Sequence, residues 1–142
     1  MWADTVLHAE QQHLLRLLLW AGLSIVAATA VATLVSLRRV QTPFLKHFAI
    51  QLAVWGVAVG AIAAVGWHGA ELRDVSGAAR LERLLWMNVG LEIGYVAVGT
   101  VLALSGWMLA RRLSAVGAGM GIVIQGLALL IIDLQFAAIV SR

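Results

Sequence analysis

The sequence predicts an antiparallel four-helix transmembrane bundle, and three observations carry that expectation. Of 142 residues, 62% are hydrophobic and 12% charged, with a mean hydropathy of +0.94, whereas a soluble domain usually carries about 25% charged residues. The apolar residues fall into four blocks, each long enough to cross a hydrocarbon core of ~30 Å. Two of the three breaks between blocks hold arginine pairs, Arg38-Arg39 and Arg111-Arg112, as membrane proteins place them at span ends. One domain, residues 1–142, is expected, with spans at about 14–37, 44–67, 84–110 and 114–140.

The first segment opens with polar residues, including Asp4 and Glu10. A cleaved secretory signal opens with positive charge and has a shorter apolar core, so none is expected. In span one, Ser24, Ala28, Ala32 and Ser36 recur every four residues and give a smooth strip for close packing. Pro43, the single proline, suits the first turn of span two. Residues 68–83 read as the one substantial loop, with Ser76 capping a turn into span three. Arg111 and Arg112 make the tight turn into span four.

Four spans place both termini on one side. The two connections on the other side hold Arg38, Arg39, Lys46, Arg111 and Arg112 without an acid. The terminal side carries as many basic residues, mixed with Asp4, Glu10, Glu71, Asp74 and Glu82. The purely basic loops are therefore expected in the cytoplasm and the termini in the periplasm, in the cytoplasmic (inner) membrane of a bacterium. Trp20, Trp67 and Trp86 are expected at the outer interface and Trp107 at the inner one. The pI of 10.6 and net charge of +3 do not point to nucleic acid, because the basic residues are scattered at helix ends. The absence of cysteine excludes disulfide and thiolate chemistry and Cys-ligated metals.

The chemistry lies in the polar residues inside the spans. Asn88, Glu92 and Tyr95, four and three apart in span three, share one helical stripe that Gly99 continues. The other spans are expected to assemble around it. His47, Gln51 and Trp55 form a stripe on span two, extended by Ala58 and Ile62, and Gln125 and Asp133 share a face of span four. Counted from the helix ends, Glu92 and Asp133 both lie roughly 10–12 Å from the terminal side. Adjacent acids cannot both stay ionised in low dielectric without a cation, so they share a proton or take a positive partner, for which His13, His68 and Arg16 are candidates. His47 and Gln51 lie toward the other side, which lays out a broken polar trail from face to face.

The plainer reading makes Gln51, Asn88 and Gln125 interhelical glue, at ~0.6 kcal/mol per bond. It serves less well for Glu92 and Asp133, since an amide would do the same at lower cost. His47 near an interface reads equally as a solvated residue, and Trp55 as packing. Glu10/His13 and His68/Glu71 have the i, i+3 spacing of carboxylate-bridged metal bundles. They fall at helix ends or in a loop, so no metal and no cofactor is expected. No histidine pair sits at matched depth for a haem. Gly56/Gly60, Gly90/Gly94 and Gly117/Gly121 have small-xxx-small spacing. In spans two and three they lie opposite the polar stripe, which favours a homo-oligomer or a partner subunit over packing inside the bundle.

The strings HFAIQLAVWG, NVGLEIGY and IQGLALLIID, in this order, resemble a small family of bacterial four-helix integral membrane proteins of unknown function. The matching positions are His47, Gln51, Trp55, Asn88, Gly90, Leu91, Glu92, Tyr95, Gln125, Gly126 and Asp133, within residues 44–140. The family pattern has Asn where Gln51 stands and Asp where Glu92 stands, so the site geometry is expected to differ. The resemblance implies that these residues act as a unit and supplies no activity. The residues point first to binding or permeation of a small solute, ion or proton, rather than to an enzyme. The alternatives are an accessory subunit of a larger membrane complex and, behind it, a metal-dependent membrane enzyme.

Overall fold

A computed structural model of the chain describes residues 2–37, 42–109 and 111–141; Arg38, Arg39 and Arg142 of the charge argument lie outside them. The described residues form four helices and no strand: α1 (Trp2–Leu37), α2 (Pro43–His68), α3 (Val75–Met108) and α4 (Leu113–Val140). All four are long and apolar enough to cross a membrane. α2 and α4 lie within a residue of their expected bounds. α1 and α3 extend further at the terminal end, reaching roughly 54 and 51 Å at 1.5 Å per residue.

The connection expected over 68–83 shrinks accordingly to residues 69–74. The cap of α3 is Asp74, not Ser76: its carboxylate accepts the Gly77 N–H at 2.7 Å and the Ser76 hydroxyl at 3.0 Å. The Gly77 bond, followed by the Ser76 bond, holds the Asp74 carboxyl below its ordinary range. Between α3 and α4, Arg111 takes a left-handed φ of 50°, and the Arg112 N–H returns to the Gly106 carbonyl at 2.8 Å. The expected tight turn is there.

Buried positions follow a heptad, the period of left-handed helix packing. In α2 they are Ala49, Leu52, Gly56, Val59 and Ala63, alternately three and four apart. In α3, Ala78, Leu85, Glu92, Gly99 and Gly106 are seven apart, with Val89 between. In α1, Glu10, Leu17 and Ser24 form one such series and Leu14, Ala21 and Ala28 another. The small-residue strip of α1 is half realised: Ser24 and Ala28 are buried, while Ala32 and Ser36 are exposed.

The central helix is α4, which corrects the expectation that the bundle is organised around span three. α4 packs on α3, α2 and, over a shorter stretch, α1, and α1 packs on α2. Glycines let α4 do this on two sides. Gly117 and Gly121 bring it against Phe44 and Gln51 of α2; Gly119 and Gly126 bring it against Gly99, Ala103 and Val96 of α3. By contrast, α2 and α3 do not pack along their lengths. They meet at Trp55 and Tyr95, whose rings stand edge to face at 4.9 Å.

The most deeply buried residues of α2 are Ala49, Leu52, Gly56, Val59 and Ala63, beside rather than on the expected stripe, of which Trp55, Ala58 and Ile62 line a cavity. Gly56 lies against Ala21, Ser24 and Ile25 of α1, and Gly60 against Ala21. These two glycines are therefore taken up inside the bundle, while Gly90 and Gly94 of α3 face open space.

Candidate functional site

Glu92 and Asp133 meet. Each stands on the buried seam between α3 and α4, at 5% and 3% exposure, and together with Asn88 they line one cavity. The heptad explains the placement. Glu92 takes the position that Leu85 and Gly99 take one repeat away, so a carboxyl is inserted where the pattern demands an inward side chain.

His13 joins them from α1. Its Nε2 lies 3.6 Å from Asp133 Oδ1, an electrostatic contact longer than a good hydrogen bond. Its ring stacks on Phe136 at 4.5 Å. This is the one of the three suggested basic partners that the fold delivers. Arg16 donates instead to Gln135 at 2.7 Å, and the His68 ring pairs with its own helix carbonyl at Ala64, 2.8 Å away.

These groups line a cavity of about 240 Å³ together with Trp55, Asn88 and Tyr95 and with apolar residues such as Leu17 and Leu129. Within it Glu92 Oε2 is buried without a hydrogen-bond partner. A larger groove of about 430 Å³ runs between α1 and α2 past Ala28, Ala32 and Lys46. Its hydroxyls, on Thr29 and Ser36, bond back to their own helix, so no polar groups converge there.

The other expected residues divide plainly. Gln125 is fully buried in a separate network, accepting from the Trp20 indole N–H at 2.7 Å and donating to Ser24 at 2.9 Å. Both of its functional groups are thereby engaged, as in interhelical glue. Trp20 consequently turns into the bundle and is no part of an aromatic belt, whereas Trp67, Trp86 and Trp107 stay about half exposed. Gln51 is half-buried against Gly121. His47, at the start of α2, pairs with the Pro43 carbonyl at 2.9 Å and does not reach the carboxyls.

The polar trail from face to face is not formed. Between Gln125 and the start of α4 the buried positions are Gly117, Gly119 and Gly121, which close that half with tight packing. Toward the terminal side, the cavity is covered by a cluster of Ala9, Leu85, Phe136 and Ala137. Beyond it, Arg73 clamps Glu10 through two bonds, 2.6 and 2.9 Å long. That ion pair escaped the sequence reading, although Glu10 continues the inward series of Leu17 and Ser24. The pair also occupies one of the expected metal-spacing residues, and among the described residues no group of three His, Asp or Glu is placed to hold a metal.

No curated protein and no solved structure matches the chain. A family model matches residues 16–134. The match takes in most of α1, which the resemblance over 44–140 left out, and it contains the cavity carboxyls, Asn88, Tyr95, Trp55 and the Trp20–Gln125–Ser24 network. By this match the chain belongs to the family of unknown function DUF6992.

Proposed function

We propose that the chain is a multipass protein of the bacterial cytoplasmic membrane, with its helices antiparallel and the Glu92–Asp133 pair as an intramembrane site. The pair takes up and releases a proton or a small cation. The observation that carries this reading is the Glu92 side chain, lining a cavity beside a second carboxyl and His13, with its Oε2 buried and without a hydrogen-bond partner among the described residues. Two carboxyls in contact in low dielectric hold one proton between them or share a cation. An amide pair would join α3 to α4 without that cost. Site binding is favoured over permeation, because the glycine-packed half of α4 leaves no polar route onward.

Antiparallel order is supported by the pairing of α1 with α2: Leu14 lies on Gly66, Ala21 on Gly60 and Ser24 on Gly56. Membrane insertion is supported by the exposed apolar surface of all four helices and by exposed Trp67 and Trp86 toward the terminal side. Periplasmic termini rest on the short connections at the other end, which carry basic residues without an acid. An alkaline phosphatase fused after Arg142 is expected to be active, and one fused between Arg38 and Lys46 inactive. The reverse pattern would invert the topology.

The accessory-subunit reading draws on Gly90 and Gly94, which offer a smooth outer strip to a partner or a second copy. Infrared spectroscopy of the purified protein separates the readings. The protonated-carboxyl band is expected to respond to pH or to a monovalent cation in wild type, to change that response in Glu92→Gln and in Asp133→Asn, each of which keeps one carboxyl, and to lose it when the two substitutions are combined. Each variant should keep or gain thermal stability, since a buried charge is removed. A band unaltered by either substitution would leave the accessory-subunit reading.

A further inference from the structure

We propose that the cavity receives a membrane-dissolved amine, its ammonium head on the Glu92–Asp133 pair and its apolar tail passing out between α2 and α3 into lipid. This rests on the proton-or-cation reading of the pair and adds the ligand's class and its side of entry.

The side of entry follows from what closes the other sides. The Ala9–Leu85–Phe136–Ala137 cluster covers the cavity toward the termini, and the satisfied Gln125 network and the glycine-packed half of α4 lie beyond Leu129. α1 and α4 form the back wall through Leu17 and Leu129, both buried. The remaining side is the seam where α2 and α3 do not pack. Its cavity residues Ile62 and Leu91 are 67% and 47% exposed, and Asn88 is exposed beside them. Asn88 thus sets a polar group at the opening, on the same cavity as the two carboxyls.

The class of ligand follows from the lining. Glu92 Oε2 has no donor among the described residues; the nearby arginines are engaged elsewhere, Arg73 with Glu10 and Arg16 with Gln135, and the one basic group at the site, His13, faces Asp133. The Trp55 and Tyr95 rings stand at the same seam and favour a cation over a neutral head. A volume of about 240 Å³ is below the usual range for a whole drug-sized ligand. It suits a head and the first few carbons of a chain, and the apolar mouth suits the remainder.

The test uses the full chain in lipid nanodiscs, with octylamine, methylamine and octanol as probes and empty nanodiscs as the background. Octylamine is expected to raise the unfolding midpoint and to bind about tenfold or more tightly than octanol, as charge-assisted bonds allow. Glu92→Gln should abolish that difference. Leu91→Trp, which narrows the mouth from the lipid side, should weaken octylamine more than methylamine, and Ile62→Trp across the seam should do the same if the first variant folds poorly. Equal binding of octanol and octylamine would overturn the ammonium head. Methylamine binding as tightly as octylamine, with both mouth variants inert, would overturn entry from lipid. If no amine binds while the carboxyl band still responds to pH, the proposal fails and the proton-site reading stands; if the band is silent too, both fail.

Discussion

Gly119→Val is expected to leave no stable bundle. A Cβ at this position would sit 2.5 Å from the Gly99 carbonyl oxygen and 2.6 Å from the Ala103 nitrogen, distances that real Cβ atoms do not tolerate. Both obstacles are backbone, so no side chain can rotate away and α3 must lift off α4. Overpacking of an accommodating core costs about 1–3 kcal/mol. Here the cost belongs at or above the top of that range, because the α3–α4 seam is what carries Glu92 to Asp133. The contrast is Gly90→Val or Gly94→Val, where nothing lies within 4 Å and the melting temperature should stay close to wild type. Thermal unfolding in detergent, followed by circular dichroism, compares the three. A Gly119→Val protein that melts with wild type would show that α3 and α4 do not approach so closely. A change of oligomeric state confined to Gly90→Val and Gly94→Val would mark the outer strip as a contact between copies.

The number of helices and the meeting of the two acids were legible for the same reason: charge is costly in an apolar setting, so its absence marks spans and its presence marks an interior. Depth counted from the expected span limits brought Glu92 and Asp133 together, although α3 begins nine residues earlier than the limit used, at Val75, so it is their place in the apolar blocks and not their distance from the helix ends that matches. Which helix lies at the centre was not legible by that logic. Where every helix is apolar all round, hydrophobicity no longer separates core from outer face, and side-chain size does. α4 declares itself through Gly117 and Gly121 on one face and Gly119 and Gly126 on another. Reading the polar residues as the inward face held on α2 only for Trp55, Ala58 and Ile62, which line the cavity, while Gly56 and Val59 are the more deeply buried. His47 can satisfy its ring within its own first turn and has no need of the interior.

The terminal side held the other surprises. His13 is one of three candidate partners for the acids, with nothing to single it out, and Glu10 precedes the apolar block of α1 and reads as lying outside it. Yet the seven-residue series through Leu17 and Ser24 runs upstream to Glu10 without a break, and following it would have carried α1 back past His13. The Trp20–Gln125–Ser24 network had no comparable signal, since nothing in the spacing pairs an indole on α1 with an amide on α4.

Arg73→Ala should produce the largest loss among changes outside the spans. Glu10 is 5% exposed, and Arg73, in the short connection before α3, holds both of its oxygens. Removing the guanidinium leaves a buried carboxylate unpaired, a change that costs about 3–5 kcal/mol at a fully buried site. The Arg73 side chain is 24% exposed, so water reaches the vacated position and about 2–3 kcal/mol is the better expectation. The double variant Glu10→Leu/Arg73→Met removes both charges while keeping much of the volume and should recover most of that loss. If the double variant instead melts lower than Arg73→Ala, the pair contributes through its shape and not through compensation of a buried charge. Hydrogen exchange locates the effect. The Glu10–Arg73 clamp lies directly beyond the Ala9–Phe136 cover of the cavity, so Arg73→Ala should speed amide exchange in α1 from Val6 to His13. Exchange around Ser24, where the Gln125 network holds α1 to α4, should be unchanged. Uniform acceleration along α1 would mean that the clamp supports the whole helix rather than its terminal-side end.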